Sequence, residues 1–400
     1  MTPLEKRVSL TLAALVSLRI LGLFLILPVF AIEARHYPGG EDPAFLGLAM
    51  GVYGLTQAFL HGPLGWASDR WGRKKIIALG LLVFAAGSLW AGLAQDVTQL
   101  LIGRGLQGAG AVSAAIMALL SDFTRNEVRT KAMAIVGMSI GTMFAGSLVL
   151  APVLSSWIGL SGLFFLTAAF AALGLLMIWR LVPPEPAHKP MDESASQTCS
   201  ISSHRLLLRS DLLRMNFGVF VLHAVQVAMW VAVPGLLVHA GLLSSDHWQV
   251  YLPAFWCSFL LLGAVFAFER RGFVRPIFLL AIGLIVSAQA GLMWHTLHSL
   301  NLWVLGLWLF VFFAGFNALE ALQPSMVSKM VTSAQRGTAM GAYNTFQSLG
   351  FFAGGVVGGW SAKHFGSPAL FAVCLLVSAL WWVLVASSKR SLISGMDPHP

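Results

Sequence analysis

Gly65-Trp66-Ala67-Ser68-Asp69-Arg70-Trp71-Gly72-Arg73-Lys74-Lys75 places one carboxylate, four cations and two glycines between two long apolar segments. Charge at this density is tolerated beside a bilayer but not within its hydrocarbon. The stretch therefore reads as a tight turn at a membrane face joining two spans, a hinge point rather than an enzyme site.

The composition of the 400 residues agrees: 57% are hydrophobic, only 10% are charged, and the mean hydropathy is +0.79. Those values lie outside the range of soluble globular proteins and describe a polytopic membrane protein. The net charge of +9 is distributed between apolar segments, not over a soluble face, which excludes nucleic acid as a partner. Cys199, Cys257 and Cys374 show no paired spacing. Lys6 and Arg7 precede the first apolar run as in a signal peptide, but the run continues for about 20 residues with no small-residue cleavage site, so it is expected to stay as the first helix.

Segments long enough to cross a bilayer fall near 10–34, 44–68, 76–95, 98–122, 132–156, 161–182, 212–240, 247–269, 276–298, 301–325, 334–362 and 367–388. With the N-terminus inside, 21 of the 25 Lys and Arg fall on the cytoplasmic side. Only Arg35 and Lys363 fall outside, while Arg19 and Arg104 lie within spans. The asymmetry predicts both termini in the cytoplasm. Pro, Ser and charge concentrate between spans six and seven, which predicts a six-helix bundle over 1–182, a flexible cytoplasmic linker over 183–210, a second bundle over 211–388 and a cytoplasmic tail over 389–400.

An internal repeat supports two halves. Arg129-Thr-Lys-Ala-Met-Ala aligns with Arg336-Gly-Thr-Ala-Met-Gly at an offset of 207, Asp69-Arg70-Trp71-Gly72 with Glu269-Arg270-Arg271-Gly272, and Leu27-Pro28 with Val233-Pro234.

The spacing Gly65-x-x-x-Asp69-Arg70-x-Gly72-Arg73-Lys74 resembles the signature loop between the second and third helices of the major facilitator superfamily of transporters. Arg104-x-x-Gln107-Gly108-x-Gly110 resembles that superfamily's fourth-helix motif. Phe313-Ala-Gly-Phe-Asn317-Ala-Leu-Glu320 and Arg336-Gly-Thr-Ala-Met-Gly-Ala-Tyr343-Asn344 are similar to the YajR-type branch of bacterial drug/proton antiporters. The resemblance implies an all-α integral membrane fold, twelve transmembrane helices in two pseudo-symmetric six-helix bundles. It further implies a conformational latch from Gly65, Asp69, Arg70, Gly72, Arg73 and Asp122, in which Asp122 engages Arg73 and Asp69 meets the N-terminal end of span eleven. Members of the branch carry a small soluble domain after the last helix; the short sequence after 388 is expected to leave the transporter core alone.

Charge within a span is costly unless paired or facing a wet cavity, so each such group is a functional candidate. Proton coupling is assigned to Arg104, Glu320, His223 and Arg19. For Arg104 the bland alternative is snorkelling to the interface; for Glu320, a permanent ion pair with Arg19 or Lys329; for His223, a bond to a backbone carbonyl; for Asp122, a place beside a helix C-cap. Asn317, Glu320 and Gln323 recur every three residues as one polar stripe. Tyr53, Gln57, Gln107, Met229, Trp230, Asn317, Tyr343, Asn344 and Gln347 are candidates for a substrate cavity. Ala151-Pro152 stands where drug/proton antiporters carry Gly-Pro. Gly350, Gly354 and Gly358 form a small-residue face that packing alone would explain. His295-x-x-His298 has metal-compatible spacing but reads as plain loop histidines, since no carboxylate or cysteine joins it. No metal and no cofactor is expected, and no nucleotide-binding or catalytic motif is present.

The expected function is secondary active transport: proton-coupled efflux of small organic molecules or drugs by alternating access, by a monomer in the bacterial inner membrane whose partners are a small-molecule substrate, protons and the lipid bilayer. A proton symporter or facilitator for a nutrient is the alternative within transport, and a non-transporting membrane receptor the alternative outside it.

Overall fold

The computed structural model describes residues 1–110, 112–184, 208–298, 301–332 and 335–387. The described residues form helices α1 (Pro3–Glu33), α2 (Pro43–Trp71), α3 (Arg73–Gly92), α4 (Val97–Ala109), α5 (Ser113–Asp122), α6 (Asn126–Arg180), α7 (Ser210–His239), α8 (Trp248–Leu260), α9 (Leu262–Arg270), α10 (Val274–His298), α11 (Leu302–Lys329) and α12 (Arg336–Ala386), with short 3-10 turns at Ala34–His36 and Ser244–Asp246. Most of the expected linker, the whole expected tail, and Cys199, Lys189, Arg205, Lys389 and Arg390 lie outside the described residues.

Two helices are too long for one crossing. At about 1.5 Å per residue, the 55 residues of α6 and the 51 of α12 far exceed a hydrocarbon core of about 30 Å. Each is broken by one glycine outside helical geometry, Gly159 (φ 64°, ψ −176°) and Gly366 (φ 79°, ψ 178°). A Cβ is strained at such angles. The two breaks stand 207 residues apart, the offset that aligns Arg129 with Arg336. Counting α4 with α5 and α8 with α9 as single crossings, the described helices make twelve spans.

Contacts divide the chain into two compact units, Met1–Pro190 with Ser244–Trp248, and Met191–Leu243 with Gln249–Pro400. Each repeats one pairing scheme: α1 packs along α6 as α7 packs along α12, and α3 lies on α4 and α6 as α10 lies on α11 and α12. The end-caps repeat too. Lys74 Nζ donates to the Val182 carbonyl at 2.7 Å, closing the end of α6 with a cation from α3. Arg275 from α10 does the same for the Ala386 carbonyl of α12 at 2.9 Å. Carbonyls at a helix C-terminus have no intrahelical partner, and a cation satisfies both the hydrogen bond and the dipole.

The signature stretch is more helical than a loop reading implies. α2 continues through Trp71 and α3 starts at Arg73, which leaves a one-residue turn at Gly72 with φ 99°. Gly272, its partner in the repeat, has φ 85°. These angles favour glycine, which carries no Cβ to clash.

Large apolar side chains face outward along the spans; Phe59, Trp157, Trp303 and Leu376 are all more than 65% exposed. Lipid is the solvent that suits such a surface. Inside, small residues bring backbones together. On α12, a Cβ at Gly350 would overlap the Phe220 carbonyl oxygen of α7, one at Gly354 the Ala224 carbonyl oxygen, and one at Gly358 would meet the Ala228 Cα at 3.0 Å. Both partners repeat every four residues, so the seam is a ladder of close contacts.

Gly354→Val is expected to destabilise the protein by about 1–3 kcal/mol or more by overpacking this seam, whereas Gly337→Val, where a Cβ meets nothing within 4 Å, should stay within about 0.5 kcal/mol. Thermal unfolding of the two purified variants in detergent measures the difference.

Candidate functional site

In the first unit the signature residues converge on one guanidinium. Arg73 Nη1 lies 2.7 Å from Asp122 Oδ2 at the end of α5, and Arg73 Nη2 lies 3.4 Å from Asp69 Oδ1, one turn back on α2. The Asp122 pair is mostly buried; Asp69 is 66% exposed, so its contact is the weaker. The Gly65 carbonyl accepts from Ser68 Oγ at 2.7 Å within α2, and Arg70 lies 5.4 Å from the ring of Trp66. A neighbouring contact has no trace in that motif: Arg125 donates to Glu5 through Nε (2.9 Å), Nη2 (3.3 Å) and its backbone N–H (3.2 Å). Its side-chain bonds to the Glu5 carboxylate raise the pKa of the Arg125 guanidinium above its usual value. Glu5 also completes a capping box with Thr2. The Thr2-x-x-Glu5 spacing reveals that cap, but nothing in the sequence links it to Arg125.

Deeper in the same unit lie two guanidiniums. Arg104 is 1% exposed and donates to Gln107 Oε1 at 3.0 Å, with its Cζ 4.9 Å from the Tyr53 ring centroid. It does not snorkel: its head group is held among helices. Gln107, fully buried, donates onward to Ser88 Oγ of α3 at 2.8 Å. α4 comes this close because a Cβ at Gly108 would overlap the Tyr53 carbonyl, and one at Gly103 would lie 2.8 Å from the Ala91 backbone N. Arg19, midway along α1, donates to Ser113 Oγ at 2.8 Å and to the Tyr53 hydroxyl at 3.2 Å. Gln57 lies one turn from Tyr53 on α2 and is buried. Ser88 and Ser113 give no sequence signal, since a small polar residue in a span acquires meaning only from the helix opposite it.

In the second unit His223 stands at the centre of the polar groups. Its Nδ1 lies 2.9 Å from the Val219 carbonyl, and its Nε2 lies 2.8 Å from Gln347 Nε2 and 2.9 Å from Glu320 Oε1. Phe316 and Phe351 meet the ring edge-on. A carbonyl only accepts, so Nδ1 carries a proton. With Gln347 donating to Nε2, the nearby Glu320 Oε1 accepts no hydrogen bond. Lys329 pairs with Glu269 at 3.1 Å, which removes it as the partner of Glu320.

The stripe on α11 does not face one surface. A three-residue step lags the helix by about 60°, so Asn317 donates to Ser258 Oγ of α8 at 2.9 Å, Glu320 meets His223 of α7, and Gln323 Oε1 accepts from the Tyr343 hydroxyl of α12 at 3.2 Å. Met229 Sδ accepts from Gln289 Nε2 at 3.2 Å, and Trp230 packs edge-on against Tyr251. Asn344 is half-buried beside Tyr343. The His295-x-x-His298 pair belongs to the last turn of α10, not to a loop: His295 Nε2 accepts the Asn301 backbone N–H at 2.7 Å, and His298 stacks on Trp294.

The family model of the Major Facilitator Superfamily matches residues 12–323 and 269–392. The chain is 40% identical over 395 residues to the inner membrane transport protein YajR of Escherichia coli (strain K12), covering 98% of this chain and 85% of that protein. It is 25% identical to multidrug resistance protein 2 of Bacillus subtilis (strain 168), with 98% of both chains covered. The fold superposes on a bacterial homologue of the human lysosomal transporter Spinster with a TM-score of 0.74 at 16% identity, covering 98% of this chain and 99% of that one.

Double-mutant cycles on unfolding should give Arg73 and Asp122 a coupling of about 0.5–3 kcal/mol, and Arg73 and Asp69 one of about 0–1 kcal/mol, because the second pair is exposed. Equal couplings would remove the distinction between the two contacts.

Proposed function

The chain belongs to the major facilitator superfamily of membrane transporters, and we propose that it exports small organic molecules or drugs from the bacterial cytoplasm in exchange for inward-moving protons, by alternating access. The observation that carries the coupling is the contact of His223 Nε2 with both Gln347 and Glu320. In the neutral ring Nε2 accepts from the Gln347 amide. In the protonated ring Nε2–H donates to Glu320. One nitrogen cannot do both, so a single proton moves the bond of α7 from α12 to α11.

A charge-assisted bond of this kind is roughly twice as strong as a neutral one, enough to bias helices that differ little in energy between states. Drug efflux is favoured by the resemblance of the signature loop, of Phe313 to Glu320 and of Arg336 to Asn344 to the YajR-type branch of drug/proton antiporters, and by the relative named for multidrug resistance. Arg73, Asp122 and Asp69 serve in this reading as the latch that steadies one state, with Gly65, Arg70 and Gly72 shaping the turn. In this reading Asn317, Tyr343, Asn344, Gln347, Met229 and Trp230 are the substrate-binding candidates of the second unit, and Tyr53, Gln57 and Gln107 those of the first. The 21-to-2 cation asymmetry supports cytoplasmic termini. Ala151, where antiporters carry glycine, favours the second reading, a proton symporter or facilitator for a nutrient.

Purified full-length chain in proteoliposomes, given substrate gradients of lipophilic cations, neutral drugs, organic acids and sugars, should move protons opposite to at least one substrate; parallel flow establishes symport instead. Glu320→Gln should lower pH-driven transport at least about tenfold, a loss of about 1.4 kcal/mol of driving interaction, while substrate exchange persists. Unchanged pH dependence removes Glu320 from coupling.

A further inference from the structure

We propose that the first unit carries a binding site for a small organic anion, a carboxylate on an apolar or aromatic body, built around Arg19 and Arg104. The proposal rests on the transport reading above and gives its substrate a charge. Both guanidiniums are buried, Arg19 to 4% and Arg104 to 1% exposure. Each offers five N–H donors, yet together they make three hydrogen bonds, to Ser113 Oγ, the Tyr53 hydroxyl and Gln107 Oε1, all uncharged. The Nε of each has no acceptor, and neither has a carboxylate at ion-pair distance among the described residues.

The carboxylates of this unit are elsewhere. On the helices and turns from α1 to α6 they all stand at helix ends: Glu5 on Arg125, Glu33 accepting from Ser155 Oγ, Glu41, Asp42 and Asp96 at the starts of α2 and α4, Asp69 and Asp122 on Arg73, and Glu127 in the first turn of α6. His61, two turns beyond Tyr53 on α2, is within electrostatic range of Arg19 but supplies no negative charge. Two cations within spans thus share one neighbourhood with no anion supplied by the helices around them.

Neutral hydrogen bonds and cation–π contacts do not offset burial of a full charge, which in a membrane or protein interior is balanced by a counter-charge. The two head groups are arranged around a single side chain: Arg19 binds the Tyr53 hydroxyl, Arg104 lies on the Tyr53 ring, and Arg19 also lies 5.8 Å from the Phe84 ring. Tyr53 and Phe84 pack together with Leu23 and Ala171. A guanidinium fork matches a carboxylate in geometry as well as charge, and the rings beside it suit an apolar body. Ser113 is only partly buried, so its bond to Arg19 is the one a ligand carboxylate would replace.

The test is ligand-dependent thermal unfolding of the purified full chain in detergent, without a gradient, so that it succeeds or fails independently of proton coupling. The probes are benzoate, phenylacetate and 1-naphthoate, with benzyl alcohol as the neutral counterpart and tetraphenylphosphonium as the lipophilic cation. At least one of the three acids should raise Tm saturably, and benzyl alcohol should not. Arg19→Gln and Arg104→Gln should each weaken that acid at least tenfold; Arg19→Lys and Arg104→Lys, which keep the charge without the fork, should weaken it less. If a Gln variant fails to fold, its Lys counterpart and the wild-type panel still decide. No stabilisation by any acid, stabilisation by tetraphenylphosphonium in their place, or an acid whose affinity ignores both arginines overturns the proposal. So does a shift produced by phosphatidylglycerol and by none of the acids, which would give the arginines to lipid.

Discussion

A charge inside a bilayer needs a counter-charge or a wet cavity, and the structure can be understood from how this chain meets that demand. Most of its ionisable groups escape it by standing at helix ends, where they cap helices or pair across turns: Glu5 with Arg125, Arg73 with Asp122, Lys329 with Glu269. Four do not escape. Arg19, Arg104, His223 and Glu320 are embedded in spans, and the uncharged polar residues that matter, Ser88, Ser113, Tyr53, Gln107 and Gln347, are those that hold them.

The two units answer the demand differently. The second sets the Glu320 carboxylate beside the His223 imidazole, with the Gln347 amide on the same ring nitrogen. The first keeps two guanidiniums and surrounds them with neutral acceptors and aromatic faces. In the functions proposed above, the imidazole takes the proton-coupling role and the guanidiniums the anion-binding one.

Close helix packing is what brings these groups together. A guanidinium is reached by Gln107 and Tyr53 only because Gly103 and Gly108 let α4 lie against its neighbours, and Gln347 meets His223 because the Gly350, Gly354 and Gly358 face of α12 lies against the backbone of α7. Single glycines with positive φ at 72 and 272, and at 159 and 366, turn the chain at matching places in each half. The same backbone solution recurs even where the side chains of the signature stretch do not, because turn geometry constrains glycine more tightly than it constrains charge.

The number of spans, the family and the existence of a repeat are legible in the linear chain, since hydrophobic length, cation placement and glycine-charge spacing are local properties. So were Arg19, Arg104, His223 and Glu320, because an ionisable residue amid apolar sequence stands out wherever it folds. Their partners were not legible. The step of three that aligns Asn317, Glu320 and Gln323 on paper lags the helix, so the stripe spreads to α8, α7 and α12; Arg104 takes a ring face rather than the interface; and His295 belongs to a helix end. The sequence determined which groups must be accommodated inside the membrane, and only the tertiary structure decided with what, because partner choice depends on which faces of separate helices meet, and no spacing along one helix encodes that.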